Sequence, residues 1–156
     1  MFKNTLLHYL IALADSNLTI GFLNLLIDER QVHTFCFTAQ DAFGKTPLHL
    51  AIGMNLPYVV DALLWLHEDM ALDIGLNLAD DSGRTPAMFA AALGQQDVLT
   101  RIMNQKDLIS SAVDKQGHDV NWHRSAPMDD IEAILSSVSI NPKRGCALQL
   151  SHLYSE

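Results

Sequence analysis

Apolar positions recur in short blocks separated by polar turn residues, at the spacing of one helix face. Leu48 and Ala51 lie three apart, and a second amphipathic stretch follows at residues 58–64. The same order returns forty residues later: an apolar run begins at Ala87, and residues 97–103 alternate over a helical period. Residues 6–13 with 20–27 form an earlier pair of the same kind, and residues 131–135 continue a later unit as a helix. No block has the strict two-residue alternation of a half-buried strand. The pattern predicts an all-α chain of short helices in antiparallel pairs.

Turn residues punctuate the blocks in a fixed order. Asp41-Ala42-Phe43-Gly44-Lys45-Thr46-Pro47 is matched by Asp80-Asp81-Ser82-Gly83-Arg84-Thr85-Pro86, a D-x-x-G-x-T-P unit written twice. Asp and Gly shape the turn, and Gly44 and Gly83 are free to take a positive φ. Thr46 and Thr85 stand where a helix N-cap hydroxyl is wanted, and Pro47 and Pro86 follow at the first helical position, where no N–H is needed. Gly94 occupies the turn between the two helices of its unit, and Asn55 takes that place in the preceding one.

Residues 46–51, Thr-Pro-Leu-His-Leu-Ala, match every fixed position of the T-P-L-H-x-A signature, so the chain resembles the ankyrin repeat, whose period is about 33. Weaker copies flank the clear pair. Thr5 and His8 align with Thr46 and His49, while Asp114-Lys115-Gln116-Gly117 repeats the turn but continues with Asp119 and Val120 in place of Thr and Pro. The resemblance implies a solenoid of about four helix-turn-helix repeats with hairpin-like loops and degenerate terminal caps. The units fall near residues 4–37, 41–76, 80–113 and 114–138 of one domain spanning 1–156. Residues 139–156 read as a cap or as the start of a further repeat. The turn glycines are spaced 39 and 34 apart, and Thr5 to Thr46 is 41, so insertions are expected. They are placed at residues 65–75, as a lengthened second helix and loop, and around residues 15–19 and 29–37.

Composition changes the picture in two ways. The 156 residues carry 10 Lys+Arg against 18 Asp+Glu, a formal charge of −8. Residues 1–78 hold three of the bases and eight of the acids. Such a surface argues against nucleic acid, whose phosphates need a basic face. Charged residues are 18% of the chain, below the usual ~25%, while 49% is apolar. Stacked repeats bury a face on both neighbours and account for part of this. Phe43, Met54, Leu93 and Trp65 fall where the repeat register predicts exposure, so part of the excess is expected to be a contact surface.

The N-terminus imitates a signal peptide, with an apolar run ending in Ala12-Leu13-Ala14, but His8 interrupts the run and the basic region is nearly absent. The run reads instead as the first helix of a terminal repeat. No stretch approaches the ~20 apolar residues of a membrane span. Cys36 and Cys146 are too few and too distant for a disulfide framework, so a reduced, cytoplasmic setting is expected.

Candidate chemistry is sparse. The resemblance gives His49 and His8 a structural role, bonding the adjoining turn. His118 and His123 are badly spaced for two ligands on one helix face, and His67-Glu68-Asp69 is not H-E-x-x-H, so no metal or other cofactor is expected. No nucleophile elbow or phosphate loop is present, and Cys36 in its apolar setting reads as buried. The chain is therefore read as non-catalytic, and its function as residing in a surface.

The family resemblance implies that the concave face and loop tips bind another protein. Carried over position by position, the contact residues are Phe43, Lys45, Asp81, Arg84, Lys115 and His118, with Trp65 as an outlying candidate on the insertion. The acidic charge fits a partner of basic character, and a monomer is expected. Two alternatives stay open: a regulatory or substrate-targeting domain of a larger enzyme, or a bacterial effector delivered into a host cell.

Overall fold

The computed structural model describes residues 4–28 and 35–125. Eight helices follow one another: α1 (Leu6–Ala12), α2 (Ser16–Asp28), α3 (Phe35–Thr38), α4 (Pro47–Gly53), α5 (Pro57–Met70), α6 (Pro86–Ala92), α7 (Gln96–Met103) and α8 (Val120–Ser125), with no strand among the described residues. The helix expected at 131–135 and the segment 139–156 lie outside them.

Local chemistry sets the helix starts. Thr5, Thr46 and Thr85 share one extended conformation, with φ near −80° and ψ near 165°. The hydroxyls of Thr46 and Thr85 accept the N–H three residues on, from His49 and Met88. Asp119 replaces threonine before α8, its carboxylate accepting the Trp122 N–H at 2.8 Å. α1, α4 and α6 then turn sharply into α2, α5 and α7 through a left-handed residue: Ala14 at φ 55°, Asn55 at 53° and Gly94 at 67°.

The helices stack in two layers. α1, α4, α6 and α8 pack side by side in one, and α2, α5 and α7 form the other. Leu7, Ile11, Leu48, Ile52, Met88 and Phe89 of the first layer meet Leu23, Val59, Leu63, Leu99 and Ile102 of the second in one core. Among the described residues three helix pairs are complete, and α8 follows them in the first layer.

The insertion expected after Leu64 is present as a longer helix: α5 has 14 residues against 8 in α7. It ends at Ala71 in the left-handed region, φ 52°. The extra residues expected around 15–19 are not there. Leu13-Ala14-Asp15 is as short as Met54-Asn55-Leu56 because Ala14 takes the left-handed turn and Asp15 at once starts α2, accepting the Leu18 N–H on its carboxylate at 3.0 Å. Length is added by α2 itself, 13 residues, and by the one-turn α3, which begins within the stretch 29–37 where extra residues were also expected; residues 29–34 lie outside the described ones.

Candidate functional site

Three aspartates build the loop tips. One oxygen of Asp41 accepts the N–H groups of Phe43 and Lys45, each at 2.8 Å. Asp80 does the same for Ser82 and Arg84, both at 2.9 Å, and Asp114 for Gln116 and His118 at 2.8 and 2.9 Å. Each carboxylate thereby replaces the partners that a bare turn would leave to water.

Successive tips are joined directly. The Asp81 N–H donates to the Phe43 carbonyl at 3.0 Å, and the Lys115 N–H to the Ser82 carbonyl at 3.1 Å. Such close approach requires glycine beside it. A Cβ on Gly44 would stand 2.6 Å from the Asp81 nitrogen, and one on Gly83 2.7 Å from that of Lys115.

Histidines tie the first-layer helices to the same loops. The Thr46 N–H donates to His49 Nδ1 at 3.2 Å, so Nδ1 is the acceptor and the proton rests on Nε2, which donates to the Arg84 carbonyl at 3.0 Å. His8 repeats the arrangement between the Thr5 N–H and the Lys45 carbonyl. Burial lowers both imidazoles below their ordinary value, His49 to about 4, against the opposing pull of the carbonyl each one bonds. In the third repeat Met88 stands in this place and the relay stops.

The surface that results differs in part from the one expected. Phe43 is exposed, as are Asp81 and Lys115 on neighbouring tips. Lys45 is not available for contact: it is 2% exposed, with its ammonium 5.2 Å from the Phe43 ring centroid and 5.5 Å from that of Phe89. The long stem folds inward because Phe89 offers an apolar bed and a π face, and Asp80 and Asp41 offset the charge. Burial nonetheless holds its pKa below the usual lysine value.

Arg84 is drawn in similarly, its side chain 12% exposed, its guanidinium 5.7 Å from the Phe89 ring and 3.8 Å from Asp80. Trp65 lies on α5, in the other layer, and the structure does not bring it to the loop tips.

Sequence reasoning named His118 but not the cluster built around it. His118 is stacked on Trp122, ring centroids 3.5 Å apart and planes 3° from parallel. Asp114 receives His123 Nε2 at 3.0 Å and stands 3.4 Å from His118 Nδ1. Burial pushes the Asp114 carboxyl up, but N–H groups of His118 and Gln116 and the His123 ring outweigh it and hold the pKa below the usual range. With Ser82, Arg84 and Gln116 these residues line a cleft of about 170 Å³. The available signal was that Trp122 occupies the position of His49, where a side chain faces the next loop. Among the described residues no three His, Cys, Asp or Glu side chains converge as metal ligands, and no helix is long and apolar enough to cross a membrane.

The sequence also matches characterised proteins. Residues 10–112 fit the family model for ankyrin repeats in three copies. Human Rabankyrin-5 is 31% identical over 103 residues, 66% of this chain, and the mouse protein is 31% identical over 102 residues, 65% of it. The matched stretch is 8% of the length of either relative. Repeated turns, threonine caps, histidine relays and two-layer packing agree with that match, and the chain belongs to the ankyrin-repeat family.

Proposed function

We propose that this chain is a non-catalytic scaffold or adaptor that binds one partner protein through its loop tips and the adjoining side of the first-layer helices. Ankyrin repeats are protein-interaction modules as a family. The observation that carries the assignment to this surface is the row of tips, fastened to one another by backbone hydrogen bonds and displaying Phe43, Asp81 and Lys115. A rigid row loses little entropy on binding, and an exposed aromatic at its end is a natural anchor. Lys45 and Arg84 support it from beneath, holding the Phe43 and Phe89 rings. The charge of −8 favours a partner of basic character, and the chain acts as a monomer in a cytoplasmic setting.

The test is affinity capture from cell extract, followed by titration of the captured protein. Phe43→Ala is expected to weaken binding by about 1–2 kcal/mol, roughly 5- to 30-fold, and Asp81→Lys to slow association. Equal binding by wild type and both variants would falsify the assignment. Size-exclusion chromatography with light scattering checks the monomer.

A second reading has one observation behind it. The matched segments of the relatives are small parts of much longer proteins, so the array also fits a regulatory or targeting role beside other domains. Isolation of the natural full-length product decides between the two.

A further inference from the structure

The second layer turns its outer side away from the loop tips, and on α5 that side is not an ordinary solvated face. Tyr58 and Trp65 are two helical turns apart and therefore share it. They are 71% and 49% exposed, while Val59, Val60, Leu63, Leu64 and Leu66 of the same helix are buried. Asp69 continues the same line one turn further, and Asp61 flanks it between the two rings. Arg101 of α7 pairs with Asp61, and Gln105 donates to Glu68, so the carboxylates are held in place beside the aromatics.

The neighbouring α2 adds Gly21 at its centre. A Cβ built there meets nothing within 4 Å, so the fold has no steric need for glycine, which costs a helix interior about 0.5–1 kcal/mol. Bare backbone is thus left exposed on α2, which packs against α5.

Charge identifies the occupant. Neither α2 nor α5 carries a Lys or Arg, whereas Asp28, Asp61, Glu68 and Asp69 all lie on them. Among the described residues up to Leu78 the lone Lys or Arg is Lys45, and it is buried against Phe89 in the other layer. We infer that the outer side of α5 and α2 is a second docking surface, and that it takes a Lys- or Arg-bearing amphipathic helix of a partner protein.

The cations of that helix sit over the Tyr58 and Trp65 rings and beside Asp69, Asp61 being already paired with Arg101, while its apolar residues cover the ring edges. A second copy of this chain would set acid against acid, and an anionic bilayer would be repelled by the same field. The surface is separate from the loop tips and goes beyond the reading given above.

Trp65 itself reports on it. In a Trp122→Phe background it is the remaining indole, and the probe is an 18-residue Leu/Lys amphipathic peptide without aromatic residues, set against its Leu/Glu counterpart. The Lys peptide is expected to produce a saturable shift in Trp65 emission that weakens as salt is raised, and the Glu peptide none. Tyr58→Ala combined with Asp69→Lys is expected to weaken the Lys peptide about tenfold, with an unchanged thermal midpoint, because both side chains are exposed.

Phe43→Ala is expected to leave the titration as it was. Equal binding of the two peptides to the Trp122→Phe protein, whose α5 and α2 surface is unaltered, overturns the inference. So does a Trp65 signal that follows protein concentration alone, which would mark a second copy as the occupant. A full response from the Tyr58→Ala, Asp69→Lys protein, or an equal loss with Phe43→Ala, overturns it as well. Failure here leaves capture through the loop tips untouched, and failure there leaves this titration untouched.

Discussion

Single side chains in this protein are used for backbone geometry as much as for burial. Ala14 shows the cost of a departure from the repeat. It holds φ at 55° where the other units have Asn55 and Gly94, and a Cβ is disfavoured in that region by about 1 kcal/mol. Ala14→Gly is therefore expected to raise stability by roughly 0.5–1 kcal/mol, read as a higher denaturation midpoint with an unchanged slope. Lys45 shows the limit of positional inference. Its place in the turn was legible, but whether a long cation points out or folds back depends on Phe89, which is 44 residues away in sequence and packs beneath it.

Helices and loops depend on one another through contacts that no single repeat contains. Gly44 and Gly83 are needed less for their own turns than for the backbone of the next tip, 2.6 and 2.7 Å from where a Cβ would stand. Alanine at either position is expected to cost roughly 2–3 kcal/mol, through strain at positive φ and the parting of two tips. Chemical denaturation measures the loss, and hydrogen exchange at Asp81 or Lys115 locates it. Phe89 of α6 serves three partners at once: the core, the cations Lys45 and Arg84, and the edge of His49 at 5.2 Å. Phe89→Ala is expected to destabilise by about 3–5 kcal/mol and to free Lys45, whose modification by an amine reagent should quicken. The extra length of α5 was legible as surplus residues after Leu64. The length of α2 was not, because Asp15 starts that helix without any of the Thr-Pro spelling that marks α4 and α6.

For the molecule as a whole, buried neutral histidines tie stability to pH. The folded-state values of His8 and His49 lie below the ordinary 6.5, so between pH 6.5 and about 4 the unfolded chain binds more protons than the folded one. Stability is complete above that window and is lost as pH falls through it, with His49 alone contributing on the order of 3 kcal/mol. Thermal melts at pH 7.5 and 4.5 should show the drop, and His49→Gln should flatten it while lowering stability at pH 7.5. The sequence by itself determined the family, the all-helical class, the caps and the turn positions, because these rest on interactions within about five residues. It also determined the net acidity of the chain. Only the tertiary structure decided which side chains reach water: it withdrew Lys45 and Arg84, separated Trp65 from the loop tips, and stacked His118 on Trp122 over Asp114. Those outcomes depend on what the neighbouring repeat places opposite each residue, and a local pattern carries no record of its neighbour.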